Sequence, residues 1–287
     1  MSRVAVVGLG RMGTAVAHKF ALAGHEVTVW NRSRPAPRAL TDGMAVASSP
    51  AGAVADADAA VILVADDTAL RDVVSGPDGV ARGARAGVTT VMQMSTVSPA
   101  SMRWLEQELP EGVGLLDAPV MGSVDAVRNG TLTIFAGGTP DLVRRWTPLL
   151  QELGPVQAVG GTGSGTSAKL VANGALFGVL ALLGESLDLA VGLGLPAPTA
   201  FDVLAATPLA AQAERRRPSL VKDAYPPRFT LDLAAKDAHL ILGTAAANGI
   251  SLPLGEATLT WIRSALEAGR AGDDYTVMLR RPGRSYQ

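Results

Sequence analysis

Residues 3–7, RVAVV, form a short β-branched run that passes directly into GLGRMG, and the residues beyond space Val16, Phe20 and Leu22 for one buried side of a helix. That order predicts a strand, a glycine turn and a helix. Apolar runs return at EVTVW (26–30), AAVILVA (59–65), TTVMQMS (89–95) and GLLDAPV (114–120), separated by helix-compatible intervals such as TALRDVVSG and SPASMRWLEQEL. Strands alternating with helices predict a doubly wound parallel α/β sheet. Beyond Gly165 the period changes, and apolar clusters at 180–189, 201–204, 231–242 and 259–266 follow helical spacing. An all-α helical domain is therefore expected after the sheet. Glycine-rich residues 160–165 mark the change, which divides the chain into 1–161 and 162–287. Within the second part, prolines at 196, 198, 226 and 227 separate helices, because proline has no N–H to donate.

Composition narrows the function classes. With 287 residues, the chain is long enough for two cores of ordinary size, and 48% hydrophobic against 18% charged residues describes a folded globular protein. A net charge of −1 supplies no broad positive field, so nucleic acid is not expected as a partner and phosphate recognition has to be local. The absence of cysteine excludes disulfides, thiol nucleophiles and cysteine-ligated metals, and fits a reducing cytoplasm. The apolar run in MSRVAVVGLGRMG is too short to span a membrane. The longer stretch at 174–195 is interrupted by Glu185 and Asp188, and reads as a buried helix. No membrane role is expected.

The glycine turn carries the first chemistry. Gly8 permits a tight turn, Gly10 allows close backbone approach of a pyrophosphate, and Gly13 allows helix and strand to pack closely. The helix start then offers N–H groups to phosphates, so Gly8, Leu9, Gly10, Arg11, Met12 and Gly13 form a candidate dinucleotide site. After the second strand, an acid would grip the ribose 2′-hydroxyl of NAD, but this chain has Asn31, Arg32, Ser33 and Arg34 there. These residues can hold a 2′-phosphate that a carboxylate would repel, which favours NADP(H). Alternatively, the two arginines solvate a loop before Pro35. Strand-end loops bearing Ala65 and Asp66, and Thr96, stand where open α/β sheets bind ligands. Asp66 and Asp67 have no third ligand at metal-binding spacing, and a loop cap is the expected role.

Further along, GGTGSGTSAKLVANGA (160–175) turns from glycine to helix pattern, and Lys169 and Asn173, four residues apart, would share one helix face. Other polar residues offer less. His18, His25 and His239 have neither a triad partner nor a metal spacing, and only His239, three residues after Lys236, is placed to approach the site. The run AERRRPS (213–219) reads as a solvated helix end. Trp146, Trp261 and Phe177 read as packing residues, although Phe177 follows Asn173 by one turn and can line a cleft.

Four stretches in order resemble the β-hydroxyacid dehydrogenase family, which is related to imine reductases. VAVVGLGRMGTAVA is similar to its cofactor fingerprint, and DAPVMGSVDAVRNGTLTIFAGG (117–138) to its substrate signature. GGTGSGTSAKLVANGA resembles its catalytic segment, and LAAKDAHLIL (233–242) a later segment whose lysine, here Lys236, lies near nicotinamide and substrate. The resemblance implies a Rossmann domain, a long interdomain helix, a helical domain that forms a homodimer, and an active site in the cleft. It makes Lys169 the acid/base and Asn173 the residue that positions the substrate oxygen. Lys236 has a second reading, since Asp237 beside it can be a helix-surface charge.

The chain departs from the family at the substrate signature. Met121-Gly122-Ser123 stands where the family has serine and two glycines, and Asp125 occupies a small position. Methionine cannot donate the hydrogen bond by which serine holds a carboxylate, and Asp125, if it faces the site, would repel an anion. Ser123 can supply a displaced hydroxyl. The expected activity is NADPH-dependent reduction of a carbonyl, or oxidation of the alcohol, on an atypical substrate. The alternatives are a C=N reductase, favoured by Met121 and disfavoured by Lys169, and a catalytically silent NADP-binding protein.

Overall fold

The computed structural model describes residues 1–33 and 43–280. The chain forms two compact units, Met1–Lys169 and Leu170–Gln287. In the first unit the order is β1 (Arg3–Val7), α1 (Arg11–Leu22), β2 (Glu26–Trp30), β3 (Ala45–Val46), α2 (Pro50–Val54), β4 (Ala59–Ile62), α3 (Asp67–Ser75) and α4 (Val80–Gly83). There follow β5 (Thr90–Gln93), α5 (Pro99–Glu108), β6 (Gly114–Asp117), β7 (Val120–Met121), α6 (Val124–Asn129), β8 (Thr133–Gly137), α7 (Pro140–Gln151) and β9 (Val156–Gly160). Helix α8 (Ser164–Gly192) starts in this unit, and the division falls within it.

The strands join in one sheet of order β3-β2-β1-β4-β5-β6-β8-β7, with β9 against β8. From β3 to β6 every pairing is parallel, so the strand ends carrying the glycine turn and the loops after β4 and β5 lie along one edge. The sheet is mixed at its far side, where β8 runs antiparallel to β6 and β7. The doubly wound, parallel-dominated sheet expected from the sequence is thus present, with an antiparallel edge added to it. The segment TIFAG forms β8 within the substrate signature, and β9 is mostly surface-exposed, so it shows no apolar alternation. Alternation along β1 builds two cores. Val4 and Val6 pack with Val16, Phe20, Leu116 and Trp146 on one face, whereas Ala5 and Val7 pack with Val54, Leu70 and Leu105 on the other. Leu22, expected on the buried side of α1, is 83% exposed. It stands two residues past Phe20, about half a turn off the buried stripe.

The second unit is helical: the remainder of α8, then α9 (Ala197–Ala205), α10 (Ala210–Lys222), α11 (Leu231–Ala247), α12 (Pro253–Glu267) and a 3-10 helix (Tyr275–Leu279). Its core gathers Phe177, Leu180, Leu183, Phe201, Leu231, Ile262 and Tyr275. Helix α8 is long and apolar enough to cross a membrane by composition alone, with half of its most apolar window buried within the fold.

The AERRRPS run requires correction. It lies inside α10 rather than at a helix end, and Arg216 is 5% exposed. Its guanidinium donates to Thr276 Oγ1 at 2.7 Å and to the Tyr275 hydroxyl, and lies 3.7 Å from Asp274 Oδ1. Asp274 also accepts from the backbone N–H groups of Arg228, Phe229 and Thr276. One buried ion pair thus ties α10 to the 3-10 helix.

Candidate functional site

The glycine turn has the geometry a dinucleotide needs. Gly8 has φ +99°, and a Cβ there would stand 2.2 Å from the carbonyl oxygen of Leu63. A Cβ on Gly13 would lie 1.9 Å from the oxygen of Gly8, so α1 packs against the turn only without one. Gly10 faces open space, leaving its backbone and the N-terminus of α1 accessible to an anion. Among its neighbours in the turn, Leu9 and Met12 pack against the core, while the exposed Arg11 lines an outer groove with His18, Lys19 and Arg128. The residues present therefore fit a nicotinamide dinucleotide.

Asn31 braces this turn. Its Oδ1 accepts from the N–H of Leu9 at 3.0 Å, and its Nδ2 donates to the carbonyl of Ser33 at 2.8 Å. Arg32 and Ser33 are exposed, and Arg34 lies outside the described residues. At the neighbouring strand ends, Ala65 is exposed and Thr96 half-buried. Asp66 caps α3 by accepting from Ala69 N–H at 2.8 Å, as expected for a loop cap, while Asp67 accepts from Ser98 N–H at 2.8 Å and ties the two loops together.

Of the substrate-signature stretch, Asp117 and Met121 lie against the first turns of α8 within the same unit. Gly122 has φ +143°, and a Cβ there would meet Leu132 at 2.6 Å. The half-buried Ser123 is the N-cap residue of α6 but makes no side-chain capping bond. Asp125 is exposed and pairs with Arg128 at 3.4 Å. The α8 start is held by an acid that sequence reasoning missed. Asp117, fully buried at the end of β6, accepts from Thr166 N–H at 2.7 Å and from Thr166 Oγ1 at 2.8 Å. Burial pushes its carboxyl up to about 6, against the opposing pull of the N–H groups of Thr166, Gly163 and Gly165. One turn on, Lys169 is 8% exposed and its Nζ lies 3.6 Å from Met121 Sδ. The thioether is a weak acceptor set against an ammonium.

In the helical unit, Asn173 is 2% exposed and its Nδ2 donates to Asp237 Oδ2 at 2.8 Å. Lys236 Nζ stands 2.7 Å from Asp237 Oδ1, an ion pair rather than an aligned hydrogen bond. Asp237 is itself 2% exposed, which corrects its reading as a helix-surface charge. Phe177 lies in the helical core edge-on to Tyr275, at 6.1 Å between ring centres. Trp146 and Trp261 are likewise buried packing residues. His239 is exposed, with Nδ1 2.7 Å from the carbonyl oxygen of Ala235, and His25 links Ser2 N–H to Glu152. Among the described residues no cluster of three His, Cys, Asp or Glu could hold a metal.

Sequence families match nearly the whole chain. Residues 3–161 match the NAD binding domain of 6-phosphogluconate dehydrogenase, and residues 163–281 match the NAD-binding segment of NADP-dependent 3-hydroxyisobutyrate dehydrogenase. The 3-sulfolactaldehyde reductase of Escherichia coli is 31% identical over 98% of this chain and 96% of its own length. The chain belongs to the β-hydroxyacid dehydrogenase family. As a member, it is an NAD(P)-dependent oxidoreductase acting on CH–OH or C=O groups. The crystal structure of Mycobacterium tuberculosis 3-hydroxyisobutyrate dehydrogenase with L-serine superposes with a TM-score of 0.84, at 28% identity, over 97% of this chain and 98% of that one. An imine reductase from Pseudomonas sp. shares the fold at a TM-score of 0.63, with 23% identity over 96% and 98% of the two chains. The dehydrogenase fold is thus shared more widely than its substrates.

Proposed function

We propose that this dehydrogenase uses NADPH to reduce the carbonyl of an atypical semialdehyde or ketone, with Lys169 delivering the proton. The observation that carries the reading is the burial of Lys169 beside Met121, one turn past a helix start held by Asp117. The cofactor, when bound, supplies hydride to the carbonyl carbon. The ammonium of Lys169 protonates the oxygen in reduction and, deprotonated, accepts that proton in oxidation. Asn173, one turn further along α8, orients the same oxygen.

For the nucleotide, Gly8 to Gly13 hold the pyrophosphate, while Ala65, Asp66 and Thr96 border it and Lys236 serves nicotinamide and substrate. NADP(H) rather than NAD(H) is supported by the missing acid after β2 and by Arg32, with Asn31 acting through the turn it braces. Gly122 and Ser123 supply polar contacts to the substrate. Met121 makes its side of the site softer than serine would, Phe177 acts as a packing residue of the helical core, and the charge of Asp125 is paired with Arg128. The family matches support a nucleotide domain at 1–161 and a helical domain at 162–287.

Steady-state oxidation of NADPH and of NADH with semialdehydes, keto acids and cyclic imines tests this function. Turnover of a carbonyl substrate with NADPH at least about tenfold better than with NADH is expected. Turnover of imines alone would overturn it in favour of the C=N reading. A homodimer is supported by exposed apolar residues along α8, among them Val171 at 74%, Leu182 at 47% and Leu189 at 64%. Light scattering should then give twice the 29.4 kDa chain mass. A cytoplasmic location fits the cysteine-free composition, and cell fractionation tests it.

A further inference from the structure

Asn173 has an amide whose two ends differ in chemistry, and its surroundings decide which end points where. Asp237 Oδ2 receives its Nδ2 at 2.8 Å, while Lys236 Nζ lies 2.7 Å from Oδ1 of the same carboxylate. A carboxylate flanked by an ammonium has only lone pairs to offer, so the reverse amide orientation would set oxygen against oxygen. Asn173 and Asp237 are each 2% exposed, so water does not compete for the contact.

We propose that Asp237 is a positioning residue that locks the Asn173 amide with its carbonyl oxygen turned outward, so that position 173 presents an acceptor to the reacting groups. An acceptor there receives a hydrogen bond from an ammonium or from the hydroxyl of the alcohol, so Asn173 orients the substrate oxygen directly in its hydroxyl form and, in the carbonyl form, only through the ammonium that protonates it. Lys236 is part of the lock, because its ammonium lies 2.7 Å from Oδ1 of Asp237 and leaves Oδ2 to face the Asn173 amide. The proposal rests on the reading of Lys169 and Asn173 as the catalytic pair.

Asp237→Asn tests it with almost no change of volume. Beside Lys236, the new amide turns its oxygen toward the ammonium and its NH2 toward Asn173, which forces the Asn173 amide to turn over. The expected result, with a semialdehyde that the wild type reduces, is a fall in kcat of about 10–100-fold. The far-UV circular dichroism spectrum should stay as in the wild type, and NADPH affinity by fluorescence titration should change far less than kcat, because Lys236 keeps its charge and only loses a partner. Asn173→Ala, measured alongside, separates the two layers of the argument. If it loses turnover while Asp237→Asn keeps wild-type kcat, the lock is refuted. If Asn173→Ala itself keeps wild-type kcat, the catalytic-pair reading fails first. Should Asp237→Asn not fold, Asp237→Ser, a smaller residue that removes the charge and keeps one hydroxyl, is read against the same two outcomes.

Discussion

Lys169→Ala is expected to lower kcat for carbonyl reduction by about 10²–10⁴-fold, the usual worth of a positioned general acid. NADPH binding should be unchanged, since the glycine turn and the loops after β4 and β5 do not use this side chain. The reason for so large an effect is positional. Lys169 is 8% exposed, and Asp117 secures the first turn of the helix that bears it. Met121 presents a thioether at 3.6 Å, which cannot donate a proton in place of the lost ammonium. Lys169→Arg should rescue little, because a guanidinium holds its proton far more tightly and has a different shape. Single-turnover mixing with NADPH and a semialdehyde reads the effect directly. Unchanged turnover in the alanine variant would remove Lys169 from the mechanism.

The second large effect is on stability. Arg216→Ala is expected to destabilise the helical unit by about 3 kcal/mol or more, the cost of breaking a buried ion pair from one side. The loss leaves Asp274 without its cation, and the hydroxyls of Tyr275 and Thr276 each without a donor. The backbone N–H groups of Arg228, Phe229 and Thr276 still reach Asp274, which keeps the expected cost toward the lower end. Arg217→Ala is the matched control, since its contact with Asp202 at 3.5 Å is on the surface and worth well under about 1 kcal/mol. Urea melts of the two variants should therefore separate clearly. Coincident melts would show that the buried cluster contributes no more than a surface pair.

The contrast between these two arginines illustrates what a sequence can and cannot reveal. The glycine turn was legible because its residues are neighbours in the chain and each answers a local steric demand, as the blocked Cβ positions of Gly8 and Gly13 show. That Lys169 and Asn173 stand one turn apart on a single helix was legible for a similar reason, because an i, i+4 spacing is local. Buried charges were not. Asp117 meets Thr166 across 49 residues, Asn173 meets Asp237 across 64, and Arg216 meets Thr276 across 60. No local periodicity encodes such partners. The single hint is an acid within an otherwise apolar run, as in GLLD of β6, or beside a lysine on an apolar helix, as at 236–237. Strands β8 and β9 escaped because one lies inside a functional signature and the other is mostly surface-exposed. Leu22 shows the converse error, since apolar character at a helix end does not ensure burial.

Transfer of label from the nicotinamide is the most direct test of the whole account. The wild-type enzyme is given NADPH carrying deuterium on the transferred position of the nicotinamide C4, together with a semialdehyde it reduces, and the product alcohol is examined by mass spectrometry and NMR. The account predicts one deuterium on the carbinol carbon and a solvent proton on its oxygen. NADPH consumed without deuterium on that carbon would contradict it.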